Sequence, residues 1–280
     1  MRAALGGSCE IKQRQRVSGG SINHCERLYL ADGRQVFAKT HRHQPVSGMY
    51  EAEAHALELL AASKTLPVPA VIYADDELLL LEALDEGVPG SDWQEALGRE
   101  LALLHKKTRQ KQYGLELDNF IGLSPQPNGW HDDWVSFWQT RRLGHQISLF
   151  ASKTRAGDAL VTACSQLQEK LPELLAADDE PAVLLHGDLW SGNAAATPQG
   201  KPVIFDPASY YGHREAEFGM MRLFGGFGAR CEAAYQEVWP FQPGVDRRIA
   251  LYQLYHQLNH LNLFGPSYYD GCLSTARSLL

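Results

Sequence analysis

The sequence predicts an α+β protein of two unequal lobes, a small β-rich N-terminal one hinged to a larger helical C-terminal one. Three observations carry this. Short β-like runs fill the first 84 residues, apolar positions at helical spacing dominate the rest of the chain, and Asp85-Glu-Gly-Val-Pro-Gly90 concentrates turn formers between them. The units are therefore 1–84 and 85–280, and a chain of 280 residues can bury a sizeable core in such an arrangement.

In the first unit, Gly19 and Gly20 end a strand that carries Lys12, Arg14 and Arg16 on a solvated face. Residues 27–30 continue in a second strand, and Asp32-Gly33 is a hairpin signal leading into Gln35-Val-Phe-Ala-Lys39. From Met49 to Leu60 the apolar positions recur at helical spacing until Pro67 and Pro69. Residues 70–73 and 78–81 add two strands, so the order is β-β-β-α-β-β, a five-stranded sheet with one helix. Ser91-x-x-Gln94 has the form of a helix capping box and opens the second unit. Further helices are expected near 132–151, 157–175, 230–238, 246–264 and 271–280, with short apolar strands at 182–185 and 202–205.

Composition narrows the function classes. With 26 Lys and Arg against 33 Asp and Glu, the formal charge is −7, which disfavours a general nucleic-acid binder. The charge is unevenly placed: residues 1–42 hold eight basic against three acidic residues, so the remainder carries −12. Five widely spaced cysteines without a C-x-x-C pair suit reduced thiols. No apolar run approaches a membrane span and the N-terminus lacks the pattern of a secretion signal, so a cytoplasmic protein without membrane partners is expected.

The chemistry concentrates in His186-Gly-Asp-Leu-Trp-Ser-Gly-Asn193, directly after an apolar strand, and in Ile204-Phe-Asp206-Pro207 at the end of the next. An Asp five residues before an Asn, with a second Asp after a short hairpin, is the spacing of a phosphoryl-transfer loop. Asp188 would accept the proton of the attacked hydroxyl, while Asn193 and Asp206 would hold Mg2+. His186 reads as a packed histidine that shapes the loop. On the nucleotide side, Lys39 at a strand end can grip the α- and β-phosphates of ATP, oriented by Glu51, Glu53 or Glu58 on the following helix. The Gly19-Gly20 turn can lay backbone N–H groups over the phosphates, and Glu82-Ala83-Leu84 would lie against the adenine edge. His256 and His260 share a helix face, but no third ligand stands at recognisable spacing, so a packed face is expected there.

Residues 184–193, together with Phe205-Asp-Pro-Ala-Ser-Tyr-Tyr-Gly-His-Arg-Glu215, resemble the fructosamine (ketosamine) kinases, especially their bacterial members. The resemblance continues through Tyr113-Gly-Leu-Glu-Leu-Asp-Asn119, Pro125-Gln-Pro-Asn128, Trp134-x-x-Phe137 and Arg141-Arg-Leu143. It implies a protein-kinase-like, aminoglycoside-phosphotransferase-like fold. It also implies an ATP- and Mg2+-dependent kinase that phosphorylates a sugar hydroxyl, the 3-hydroxyl, of ketosamines or glycated amines, giving an unstable ester whose breakdown is deglycation. Glu53 becomes the preferred partner of Lys39, and Trp190 the wall against the sugar, with a core aromatic as its alternative. Glu217, where relatives usually have Asp, would anchor the catalytic loop, and Ser21 stands where several relatives carry a redox-sensitive cysteine. Two other readings remain: the same chemistry on an aminoglycoside, choline-like or other small alcohol, and a non-catalytic nucleotide-binding scaffold.

Overall fold

The computed structural model describes residue 5 and residues 10–17, 23–42, 44–155, 157–176 and 180–280. Strands β1 (Ile11–Val17), β2 (Asn23–Leu30) and β3 (Gln35–His41) are followed by helix α1 (Met49–Ala62) and strands β4 (Val71–Ala74) and β5 (Leu78–Glu82). They form one antiparallel sheet in the order β1-β2-β3-β5-β4, the five strands and single helix expected from sequence. Gly33 takes φ +89° in the turn between β2 and β3. This is a conformation that costs a β-carbon-bearing residue energy.

Period-two alternation along β3 decides the site geometry. Val36 and Ala38 face a cluster with Leu28, Leu30 and Leu80. Phe37 faces the other way and packs with Tyr50 and Leu57 of α1, so Lys39 is directed to the helix side too. On α1, Glu53 lies one turn beyond Tyr50 and one before Leu57, on the sheet-facing stripe, whereas Glu51 and Glu58 are exposed.

The second unit begins with α2 (Trp93–Lys107), then the hairpin β6 (Asn119–Ile121) and β7 (Ser124–Gln126). Helix α3 (Trp134–Phe137) runs through a π-helical turn at Trp138–Leu143 into α4 (Gly144–Ala151), followed by α5 (Ala159–Leu174). Strand β8 (Val183–Leu185) leads into the catalytic-loop sequence. Strands β9 (Ala194–Ala196) and β10 (Pro202–Ile204) form a hairpin, and β11 (Tyr210–Gly212) returns to pair with β8. Helices α6 (Glu215–Leu223), α7 (Ala229–Val238), α8 (Val245–Phe264) and α9 (Tyr269–Ser278) complete the chain. The main core gathers Phe137, Trp138, Leu167, Leu185, Tyr252 and Leu258, and a second cluster joins Leu97, Leu101, Phe218 and Tyr235. Leu60, Leu104 and Leu184 pack between α1, α2 and β8, and the Ile204 N–H donates to the Pro67 carbonyl (3.0 Å), so apolar and backbone contacts join the two units.

Two sequence expectations change. The Ser91-x-x-Gln94 capping box does not form. Helix α2 starts at Trp93, and Gln94 accepts from the Gly228 N–H (3.0 Å) and donates to the Gly226 carbonyl (3.3 Å). The helix expected over 132–151 carries the π turn, where Arg142 is buried and donates to Pro127 O and Asn128 Oδ1, each at 2.7 Å.

Two histidines make the fold acid-sensitive. His213 and His256 are buried, and both are pushed down to about 3, first by burial and then by neighbouring basic groups: Arg248 and Arg214 beside His213, His260 and Arg142 beside His256. In the unfolded chain they take up protons below about pH 6.5, so each removes about 1.4 kcal/mol of stability per pH unit as pH falls through that range. Urea unfolding should show His256→Gln losing about 2 kcal/mol less than the parent between pH ~7.5 and ~5. An unchanged pH slope would show that His256 is already protonated in the native state.

Candidate active site

The contacts of five predicted residues form one connected set. Lys39 is buried, and its Nζ donates to Glu53 Oε1 (2.6 Å) and to Asp206 Oδ1. Burial works against its charge, but the Asp206 and Glu53 carboxylates outweigh it and hold the ammonium well above the usual lysine range. Glu53, chosen over Glu51 and Glu58 by its place on α1, is raised by burial despite Lys39. Asn193 Nδ2 lies 2.9 Å from Asp188 O, 3.3 Å from Asp188 Oδ2 and 3.4 Å from Asp206 O, closing the set.

The loop conformation explains the residue types. Gly187 has φ +82°, and a β-carbon there would fall 2.2 Å from the Ala208 carbonyl, so only glycine fits. Asp206 itself has φ +58°, a left-handed conformation that Asp tolerates better than most residues, and it turns the carboxylate of the β10 strand end toward Lys39. His186 is buried. Its Nδ1 accepts from the Asp188 N–H (3.3 Å), so Nε2–H donates to Phe205 O (2.9 Å), a tautomer that ties one loop to the other. Burial lowers its pKa, which fits the structural reading from sequence.

Glu217 on α6 accepts from the backbone N–H groups of His186 (2.6 Å) and Gly187 (3.1 Å). That is the anchor its position suggested. Burial opposes its charge, yet His105, His186 and these N–H donors bring its pKa below the ordinary value. Sequence reading missed His105, which lies 3.7 Å from Glu217 and is held by the Tyr235 hydroxyl (2.8 Å). Helix α6 is in turn fixed by two buried ion pairs, Arg214 with Glu180 (2.8 Å) and Glu215 with Arg248 (2.5 Å).

An amide network behind Asp206 was also missed as a device, although its residues were noted. Asn119 Nδ2 donates to Ser209 O (2.8 Å), and Gln126 Nε2 donates to Ala208 O (3.1 Å) and Asn119 Oδ1 (2.8 Å). Asn128 Nδ2 reaches the same Asn119 oxygen (3.0 Å), and the Tyr255 hydroxyl donates to Gln126 Oε1 (2.7 Å). The β6–β7 hairpin therefore suspends the segment that follows Asp206.

Asp188 is raised well above the usual carboxylate range, first by burial and then by the charge of Asp206. Two neighbouring carboxylates and an amide with its nitrogen committed suit a hard divalent cation that completes its shell from phosphates and water. The donor set thus fits Mg2+. Among the described residues no group of three His, Cys, Asp or Glu could hold a metal by itself. His256 is buried and His260 Nδ1 donates to the His256 carbonyl (2.8 Å), which is a packed face.

The remaining predicted residues divide. Glu82 ends β5 beside β3, and its N–H donates to Ala70 O (2.8 Å). The Leu84 carbonyl is taken by Arg27, which also pairs with Asp85 (3.0 Å), and Ala83 follows the last β5 residue next to the β3 edge. Gly19, Gly20 and Ser21 lie outside the described residues. Trp190 is 36% exposed and not a core aromatic. Its indole folds over Gly192, where a β-carbon would come within 2.2 Å of the ring.

The family model described as fructosamine kinase matches residues 1–280. The chain belongs to the fructosamine kinase family. A Synechocystis relative provisionally assigned as a ketoamine kinase is 42% identical over 263 residues, covering 92% of this chain and 87% of the relative. A chloroplastic protein-ribulosamine 3-kinase of Oryza sativa subsp. japonica is 41% identical over 266 residues, 92% of this chain and 76% of its own. Among solved structures, a Thermobifida fusca protein provisionally assigned as a fructosamine-3-kinase superposes with TM-score 0.86 at 32% identity, covering 96% of this chain and 94% of that one. An ADP-bound aminoglycoside phosphotransferase, at TM-score 0.66 and 13% identity, shares the fold alone. The architecture of this fructosamine kinase family member is thus the protein-kinase-like one, and its chemistry is ATP-dependent phosphoryl transfer to an alcohol.

Proposed function

We propose that this kinase transfers the γ-phosphoryl group of ATP to a sugar hydroxyl of ketosamines, with a deglycation role. The observation that carries the reading is the contact set joining Lys39, Glu53, Asp188, Asn193 and Asp206 in a member of this family. Asp188 orients the hydroxyl and takes its proton as the oxygen bonds to phosphorus and ADP leaves. Its pKa is raised first by burial and then by the charge of Asp206. Asn193 and Asp206 would hold Mg2+, which supplies charge neutralisation on the phosphates when bound. Lys39 exchanges its contact with Asp206 for the nucleotide phosphates while keeping Glu53. The Glu82-Ala83-Leu84 segment would lie against the adenine edge, and Gly19 and Gly20 would lay backbone N–H groups over the phosphates. Trp190 stacks on the C–H face of the sugar. The boundary between the nucleotide lobe and the catalytic lobe falls near Leu84, where Arg27 grips the linker.

We place the protein in the cytoplasm. Cys25, Cys164, Cys231 and Cys272 are free thiols, and among the described residues no helix is long and apolar enough to cross a membrane. ADP release on a panel of ketosamines, aminoglycosides and choline, with and without Mg2+, tests the substrate class. Turnover of ketosamines only, abolished by chelation, is expected. Turnover of another alcohol alone would move the substrate class, and absence of Mg2+-dependent nucleotide binding would favour the scaffold reading.

The amide network supports the metal loop. Gln126→Ala leaves the Tyr255 hydroxyl and the Ala208 carbonyl unpaired in the core, at a cost of about 2 kcal/mol. Thermal unfolding should show that loss, and the Mg2+ concentration for half-maximal ADP release should rise several-fold. A destabilised variant with the parent Mg2+ requirement would separate the network from the loop.

A further inference from the structure

Beside the catalytic loop the surface exposes a continuous run of aromatic rings. Trp190 is 36% exposed, Phe224 45% and Phe264 50%, values at which large apolar side chains normally stand singly. Here they are joined. Trp190 meets Phe224 at 6.2 Å between ring centroids, Phe224 meets His260 at 4.9 Å, and His260 meets both Phe264 (5.4 Å) and Tyr268 (5.3 Å). The run starts two residues from Asp188 and crosses the end of α6 to reach the C-terminal turns of α8. His260 is fixed in it, because Nδ1 donates to the His256 carbonyl, and burial lowers its pKa.

The direction of the run selects the occupant. A ketosamine has two ends, and the hydroxyl to be phosphorylated must lie at Asp188 with the sugar against Trp190. Its amine end then leads outward along the rings. Ring faces attract both apolar chains and an ammonium cation. Resting on the ketosamine reading, we propose that Phe224, His260, Phe264 and Tyr268 form a subsite for the amine-side substituent. The favoured substrates are then adducts of amines that carry an extended apolar or aromatic chain.

The test is kinetic, with the deoxyfructose adducts of ethylamine and of phenylbutylamine as probes. The parent enzyme should favour the phenylbutylamine adduct about tenfold in kcat/KM, mostly through KM, as expected for an aromatic contact of this kind. In Phe264→Ala and Tyr268→Ala the ratio between the two adducts should fall toward one. Because the ratio is internal to each variant, partial unfolding of either does not alter it. A parent ratio near one, or a parent-like ratio in both variants, overturns the subsite while the ketosamine reading stands. Turnover of neither adduct by the parent overturns the ketosamine reading and the subsite with it.

Discussion

Asp188→Asn should release ADP from Mg-ATP and a ketosamine at least about a thousandfold more slowly than the parent, while nucleotide affinity stays within a few-fold. The substitution preserves shape and removes only the proton acceptor. Asp188 is held by a backbone N–H contact to His186 and by Asn193, and both can persist around an amide. The variant also removes a carboxyl group whose charged form is disfavoured first by burial and then by Asp206, so its fold should be no less stable than the parent's. Single-turnover ADP release together with equilibrium ATP binding separates the two effects. A variant that retains a tenth or more of the parent rate, a smaller loss than even the lower typical base contribution of about a hundredfold, would remove Asp188 from proton transfer.

Glu217→Ala carries the second large effect, and it acts on fold and activity together. The Glu217 side chain is fully buried, and its two oxygens satisfy the His186 and Gly187 backbone N–H groups. Removing it strands both donors in the core beside His105, a loss of about 3–5 kcal/mol. Glu217→Gln keeps one carbonyl acceptor and should cost about half as much, with partial activity. Urea unfolding and kcat on the same preparations check the order parent, Gln, Ala. Parent-like activity in the Ala variant would show that the loop is shaped without its anchor.

Much of the site was legible because the chemistry fixes residue types at short spacing. Asp188, Asn193 and Asp206 stand at the ends of two short apolar strands, and local sequence alone aligned them. Lys39 and Glu53 were harder, since three glutamates share α1. The choice rests on two periodicities meeting: the alternation that turns Lys39 to the helix side, and the turn that puts Glu53 between Tyr50 and Leu57. The five-stranded sheet was read from hairpin and proline signals with shifts of a few residues at its ends.

The features that escaped depend mostly on burial of polar groups. Helix α6 gave no amphipathic stripe because Glu215 and Glu217 are as buried as its apolar residues. Strands β6, β7, β9 and β11 have three residues each, too short for a periodic signal. The support from Gln126, Asn119 and His105 bridges 82, 90 and 130 positions of sequence, separations at which spacing carries no information. The Ser91 capping box failed for the opposite reason: Gln94 matched a local pattern, but a distant glycine loop claimed its side chain.

The central claim is that a ketosamine hydroxyl is phosphorylated in the cleft of Lys39, Asp188 and Asp206. It is tested most directly by following one purified ketosamine, with Mg-ATP and enzyme, by phosphorus NMR. The expected result is a new phosphate-ester resonance on the sugar 3-hydroxyl, followed by its decay with release of the free amine and inorganic phosphate. ADP formation with no sugar ester would contradict it, and a stable ester from which no amine is released would contradict the deglycation role.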